Sequence, residues 1–193
     1  MPLVQMAIEA SPIKDDNPGM STTLLYALIM AIAQIVVTLI AYFLGYQTDH
    51  MASGQWFSSI APLVVLIVIL TLGIKAVRDE QPGKGLSFGK GVGTGTLIVL
   101  FSSIITSIYA FIHFTYVNPS FVDYAIEAAR VKWAAKGMVE AQMEKAEGFM
   151  RWIFKPAVQS IAGFIFGNII GVILSLIISA FLKREPAGGS ASA

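Results

Sequence analysis

The side chains of this chain that could do chemistry are few and stand far apart. His50 and His113 are its 2 histidines, with Asp49 beside the first and Asp123 further along from the second. Imidazole and carboxylate are ligand types of a zinc site, so this pair is the metal candidate the sequence offers. Their separation follows no ligand spacing, and a structural or solvated role for each is the competing reading. With 0 cysteines, thiolate metal sites, disulfides and a cysteine nucleophile are excluded. Neither a Ser-His-Asp arrangement nor an HExxH run is present, and the adjacent carboxylates Asp15 and Asp16 fall in a Pro-rich polar segment. We therefore assign no catalytic residue and no cofactor.

Gly83, Gly85, Gly89, Gly91, Gly93 and Gly95 invite a phosphate-binding reading. A P-loop needs glycine, four residues, then Gly-Lys-Ser/Thr, whereas here Gly91 follows Lys90. The dinucleotide pattern fails too, because Gly91, Gly93 and Gly95 alternate without a preceding strand. Helix packing accounts for them better. Gly91 and Gly95 are one turn apart, and Ser102 and Thr106 continue nearly the same stripe. Gly163, Gly167 and Gly171 form two overlapping GxxxG units, extended by Ser175 and Ser179, with Asn168 on the same side. Such a row lets a second backbone approach closely, either another span of this chain or a second copy in a homo-oligomer. Gln34, Ser102, Thr106 and Asn168 are also the residues that could line a polar path for a passive solute; none carries the ionisable group that proton coupling requires.

These residues belong to four apolar stretches, 24–44, 56–74, 91–112 and 157–182, and the 13 basic and 12 acidic side chains all fall outside them. Each stretch is long enough to cross a hydrocarbon core of about 30 Å as a helix. A soluble bundle would instead distribute charge along one face of each helix. With a mean hydropathy of +0.71, the fold class is all-α: an integral membrane bundle of four transmembrane helices over 21–183, its partner the lipid bilayer. A formal net charge of +1 gives no basic excess for nucleic acid. Segments 1–20 and 184–193 read as mobile tails, and the first span reads as a retained anchor rather than a signal peptide.

Lys75, Arg78, Lys84 and Lys90 lie between spans two and three and Lys183 and Arg184 follow span four, whereas 45–55 carries no Lys or Arg. The positive-inside rule puts both termini in the cytoplasm. The connection between spans three and four is expected to form an amphipathic helical hairpin over 118–152. Asn118 would cap a helix entered at Pro119 and ended at Gly137, with Val122, Ile126, Ala129 and Trp133 on one face. A second helix from Val139 would run toward span four with a bend near Pro156. Two roles fit: a hairpin lying on the lipid interface, anchored by Trp133 and Trp152, or a cap that binds a protein partner.

Three stretches carry a family resemblance. Ile74-Lys75-Ala76-Val77-Arg78 leads to Leu86-Ser87-Phe88-Gly89-Lys90, Tyr116-Val117-Asn118-Pro119-Ser120-Phe121 follows span three, and Ser175-Leu176-Ile177-Ile178 leads to Phe181-Leu182-Lys183. Their order relative to the spans resembles domain-of-unknown-function family 4199, small four-span membrane proteins found mostly in Bacteroidota. The resemblance covers 21–183 and implies a bacterial inner-membrane protein; it implies no reaction, ligand or catalytic residue.

Overall fold

The computed structural model describes residues 18–184. Residues 1–17 and 185–193, including Asp15 and Asp16 and most of both expected tails, lie outside the described residues. Residues 18–20 are already helical, with Pro18 at the start, where its missing N–H leaves no bond unmade.

Among the described residues six α-helices follow in order: α1 (Pro18–Phe43), α2 (Met51–Asp79), α3 (Phe88–Ile112), α4 (Phe121–Ala135), α5 (Glu140–Ile153) and α6 (Pro156–Leu182). A 3₁₀ turn at Pro82–Lys84 precedes α3, and a π-helical turn at His113–Val117 continues it. Four helical segments are long and apolar enough to span a bilayer, Gly19–Phe43, Met51–Asp79, Phe88–Val117 and Pro156–Leu182, so the chain is a multi-pass membrane protein. The second is longer than its apolar stretch: 29 residues correspond to about 43 Å of helix. Charge ends the apolar stretch without ending the helix, because Lys75 and Arg78 are long enough to reach the polar headgroup layer.

α3 is the central helix, packed most extensively on α6 and also against α1 and α2, while α2 and α6 meet only sparingly. The core consists of Ala27 and Met30 of α1, Ile69, Leu70 and Ile74 of α2, Ile98 and Val99 of α3, Ile178 of α6, and Leu86 of the loop. These residues fall largely in the half of each span nearer the chain termini. In lipid the hydrophobic effect does little to bring helices together, so close contact and interhelical bonds must do so. Glycine supplies the closeness. A Cβ at Gly91 would lie 2.7 Å from Ser179 Oγ, and one at Gly95 only 2.8 Å from Ser175 Cβ. Gly171 of α6 likewise admits Val99, and Gly73 of α2 admits Ile98 and the Tyr26 ring. At the same end, Leu86 and Arg184 exchange backbone bonds of 2.8 and 3.0 Å, tying the chain after α6 to the loop before α3. Ser87 Oγ caps α3 by accepting from Lys90 N at 3.3 Å.

The α1–α2 turn depends on Gly45, whose φ of +75° closes α1 by directing Tyr46 N to Ala41 O and Gly45 N to Tyr42 O. Gly137, at φ +74°, ends α4 in the same way through Met138 N to Trp133 O. The start of α4 differs from expectation. The helix begins at Phe121 rather than Pro119, and the side chain of Asn118 does not cap it but donates to Gln47 O at 3.2 Å. Between α5 and α6 the helix breaks rather than bends, since Lys155 is extended at ψ 132° ahead of Pro156.

Candidate functional site

Polar side chains gather in the half of the bundle away from the chain termini, in two adjoining places. The first surrounds His113, which opens the π-turn and is 0% exposed. Its Nε2 lies 2.8 Å from Gln47 Oε1 and its Nδ1 3.1 Å from the Tyr109 hydroxyl. Gln47 Nε2 in turn donates to Thr38 O at 3.0 Å. That orientation makes Oε1 an acceptor, so Nε2 of His113 carries the proton and Nδ1 accepts from Tyr109. The Tyr42 and Phe114 rings meet the imidazole edge-on, at 5.6 and 5.0 Å. Both ring nitrogens are thus committed, and His113 is a hydrogen-bonded interior residue rather than an interfacial ligand.

His50 and Asp49 line a shallow depression on the α1–α2 turn that does not include His113. The two candidate histidines are therefore not brought together, and among the described residues no three His, Cys, Asp or Glu side chains group as a metal site. The physical reason is the π-turn, which directs His113 inward to Gln47.

The second place is a cavity of about 890 Å³ among α1, α2, α3 and α6, with α4 and the end of α5 over it. Gln34, Ser102 and Thr106 lie on its wall; Asn168 does not. Instead Asn168 Nδ2 donates to Ser103 Oγ and Phe164 O, both at 2.8 Å, joining α6 to α3 behind the wall. Gln34 Nε2 donates to Pro62 O at 2.9 Å, joining α1 to α2.

The glycines divide. Gly91, Gly95 and Gly171 face neighbouring helices, whereas a Cβ at Gly163 or Gly167 would meet nothing within 4 Å. Gly163 and Gly167 are thus corrected as packing residues within this chain: they lie where α6 has parted from α2, on the cavity wall. Gly89 and Gly93 likewise face open space, so the dense glycine run packs only through alternate members.

Over the cavity, Arg130 of α4 pairs with Glu147 of α5 and with Glu140 at 2.9 Å, and Arg151 pairs with Asp123 at 2.8 Å. Glu147 first and Glu140 second push the Arg130 guanidinium above its ordinary pKa. Phe121 packs at 4.7 Å from Phe114 and 5.6 Å from Phe154, so one aromatic row joins α3, α4 and the α5–α6 break. Lys132 Nζ donates to Gln55 Oε1 at 2.8 Å, tying α4 to α2.

Gln47, Tyr109, Gln55, Lys132 and Gln159 were not singled out from sequence. A signal was present: Gln47, Gln55, Ser58 and Ser59 on one side, and Gln159 and Ser160 on the other, all cluster at span ends that share one membrane face.

No curated protein and no solved structure matches this chain. A family model described as protein of unknown function (DUF4199) matches residues 25–184, a segment containing all four spans apart from the first helical turns. The match covers most of the chain, including the loop before α3, the π-turn and α6, and the chain belongs to that family.

Proposed function

We propose that this protein is a non-enzymatic structural or accessory component of a bacterial inner membrane, with both termini cytoplasmic and 118–152 forming an amphipathic hairpin on the outer surface. The observation that carries this reading is where the strong polar groups of the spans are used. Gln34 reaches Pro62 of α2, Asn168 reaches Ser103 of α3, and His113 is held between Gln47 and Tyr109. Bonds of this kind, worth about 0.6 to 2 kcal/mol each, set the register of a bundle. The orientation is supported by Lys75, Arg78, Lys84 and Lys90 on one side, against a 45–55 loop without Lys or Arg. The hairpin reading is supported by the Arg130 and Arg151 ion pairs and by the exposed Phe149 and Trp152 on α5.

The test is flux together with topology. Proteoliposomes holding the full chain should pass ions and small neutral solutes no faster than protein-free vesicles. Flux abolished by replacing Gln34 and Ser102 together would overturn the reading in favour of a channel. Single cysteines, clean in a chain with 0 of its own, should label from outside at Ser53 and Ser120 but not at Ser87. The reverse pattern would invert the orientation.

A further inference from the structure

The cavity is built unlike the rest of the bundle. Apart from Gly54 and Ser160 near their outer ends, the buried residues of α2 begin at Ile69 and those of α6 at Gly171. Beyond these points the two helices part, and α3 with α1 forms the back wall. Leu63, Gly163 and Ile170 on the wall are exposed, so the opening is toward lipid as well as toward α4.

Its chemistry changes with depth. The inner end is Met30, Leu66, Val99 and Ile170; the mouth is Gln55, Ser58, Ser59, Lys132 and Gln159. From Gln55 to Leu66 along α2 is about 16 Å of helix, so the gradient runs over roughly half a hydrocarbon core. A volume near 890 Å³ falls within the roughly 300–1,000 Å³ typical of sites for single small molecules.

Three polar groups at the mouth retain bonding capacity. Lys132 gives its ammonium to the neutral Gln55, and no acid among the described residues pairs with it. Gln159 Oε1 is shielded from solvent yet accepts no hydrogen bond, which is costly for a buried carbonyl. Pro62 has no N–H, so the Ser58 carbonyl one turn earlier lacks its helical donor. A complementary occupant has an anion for Lys132, a hydroxyl donor for Gln159 Oε1 or Ser58 O, and an apolar chain for the depth.

We propose that this cleft is a binding site for one anionic membrane phospholipid with a hydroxyl-bearing headgroup, its head at Lys132 and Gln159 and an acyl chain between α2 and α6. The reading goes beyond an accessory role and fails separately from it, because flux is silent on lipid occupancy.

The probe is phosphatidylglycerol, titrated into delipidated full-length protein in mild detergent and counted by native mass spectrometry, with phosphatidylcholine as the neutral-head control. The wild type should bind one phosphatidylglycerol in preference to phosphatidylcholine. Lys132→Gln, on an exposed residue, should weaken phosphatidylglycerol about fivefold and leave phosphatidylcholine unchanged, the effect of losing one basic contact to an anionic head. Gly163→Trp should abolish binding of both lipids at unchanged thermal stability, since a side chain there enters open space. Equal binding of the two lipids, or phosphatidylglycerol binding unaffected by either variant, overturns the proposal. So does competition by inorganic phosphate as effective as by the lipid, which would mark a headgroup-only anion site. A dimer lost in Gly163→Trp would instead assign the face to a second copy.

Discussion

Two glycines of α3, two residues apart, should respond to the same substitution with different outcomes. A Cβ at Gly95 lies 2.8 Å from Ser175 Cβ and 3.0 Å from Ile74 Cδ1, well inside the roughly 3.5–4.0 Å optimum between carbons. The Ile74 methyl ends a side chain and can turn away. Ser175 Cβ cannot, because it is one bond from the α6 backbone and 0% exposed, so the helices must separate. Overpacking of this kind costs about 1–3 kcal/mol. A Cβ at Gly93 meets nothing within 4 Å and incurs no such cost. Both Gly→Ala changes gain the same intrinsic helix preference, about 0.8–1.0 kcal/mol on the aqueous scale, so it cancels in the comparison. Gly93→Ala should therefore exceed Gly95→Ala in stability by about 1–3 kcal/mol. At about 2–4 °C per kcal/mol for a chain of this size, the melting temperatures should differ by roughly 2–12 °C. The assay is thermal unfolding in one detergent, read as the surviving size-exclusion peak. Gly95→Ala melting at or above Gly93→Ala would refute the close α3–α6 contact.

Other expectations concern polar bonds. His113→Ala leaves Gln47 Oε1 and the Tyr109 hydroxyl without partners and should cost about 1–3 kcal/mol per stranded group; an unchanged melting temperature would mean that water replaces the imidazole. Gln34→Leu should cost about 0.6–2 kcal/mol through loss of the bond to Pro62 O, read as a lower melting temperature in the same detergent; an unchanged value would refute the α1–α2 bond. Arg130→Gln should speed amide hydrogen exchange over 140–153 without lowering the melting temperature of the spans, since the ion pairs it removes join only α4 to α5. Uniform acceleration across the spans would contradict that confinement.

The spans were legible because charge is excluded from hydrocarbon, and that rule acts on each residue alone. Their ends were less so: α2 continues through Lys75 and Arg78, whose long side chains allow the helix to outlast its apolar stretch. Periodicity on one helix does not reveal what lies opposite. Gly95 and Gly167 each belong to an i, i+4 row, yet Ser175 meets the first and nothing meets the second, because the partner's path decides. Asn118 shows the same limit at shorter range. Its local sequence favours a cap, but Gln47 O, 71 residues away in sequence, takes the amide. His113 and Gln47 could not be paired from sequence, since their meeting depends on both the Gly45 turn and the π-turn.

The hydroxyls around the cavity decide what kind of interior it is. Thr38 donates to Gln34 O, Ser59 to Gln55 O, Ser103 to Leu100 O, Thr106 to Ser102 O and Ser160 to Pro156 O, each within its own helix at 2.7 to 3.1 Å. A hydroxyl spent in this way turns its hydrogen toward the backbone and leaves carbon and an oxygen lone pair toward the cavity. The wall is consequently richer in polar residues than in free donors. A hydrated path needs groups that exchange bonds with moving water, whereas an apolar chain needs a wall that loses nothing when water leaves, and the back-bonded hydroxyls meet the second requirement. The hydroxyls of Ser58, Ser102 and Ser107 are not spent in this way, and the strongest unused groups, the Lys132 ammonium and the Gln159 carbonyl, both lie at the mouth, where a chain would end and a headgroup begin. The close α3–α6 contact lies in the other half: Gly91 and Gly95 against Ser175 and Ser179 hold the two helices firmly enough there for α2 and α6 to diverge beyond them.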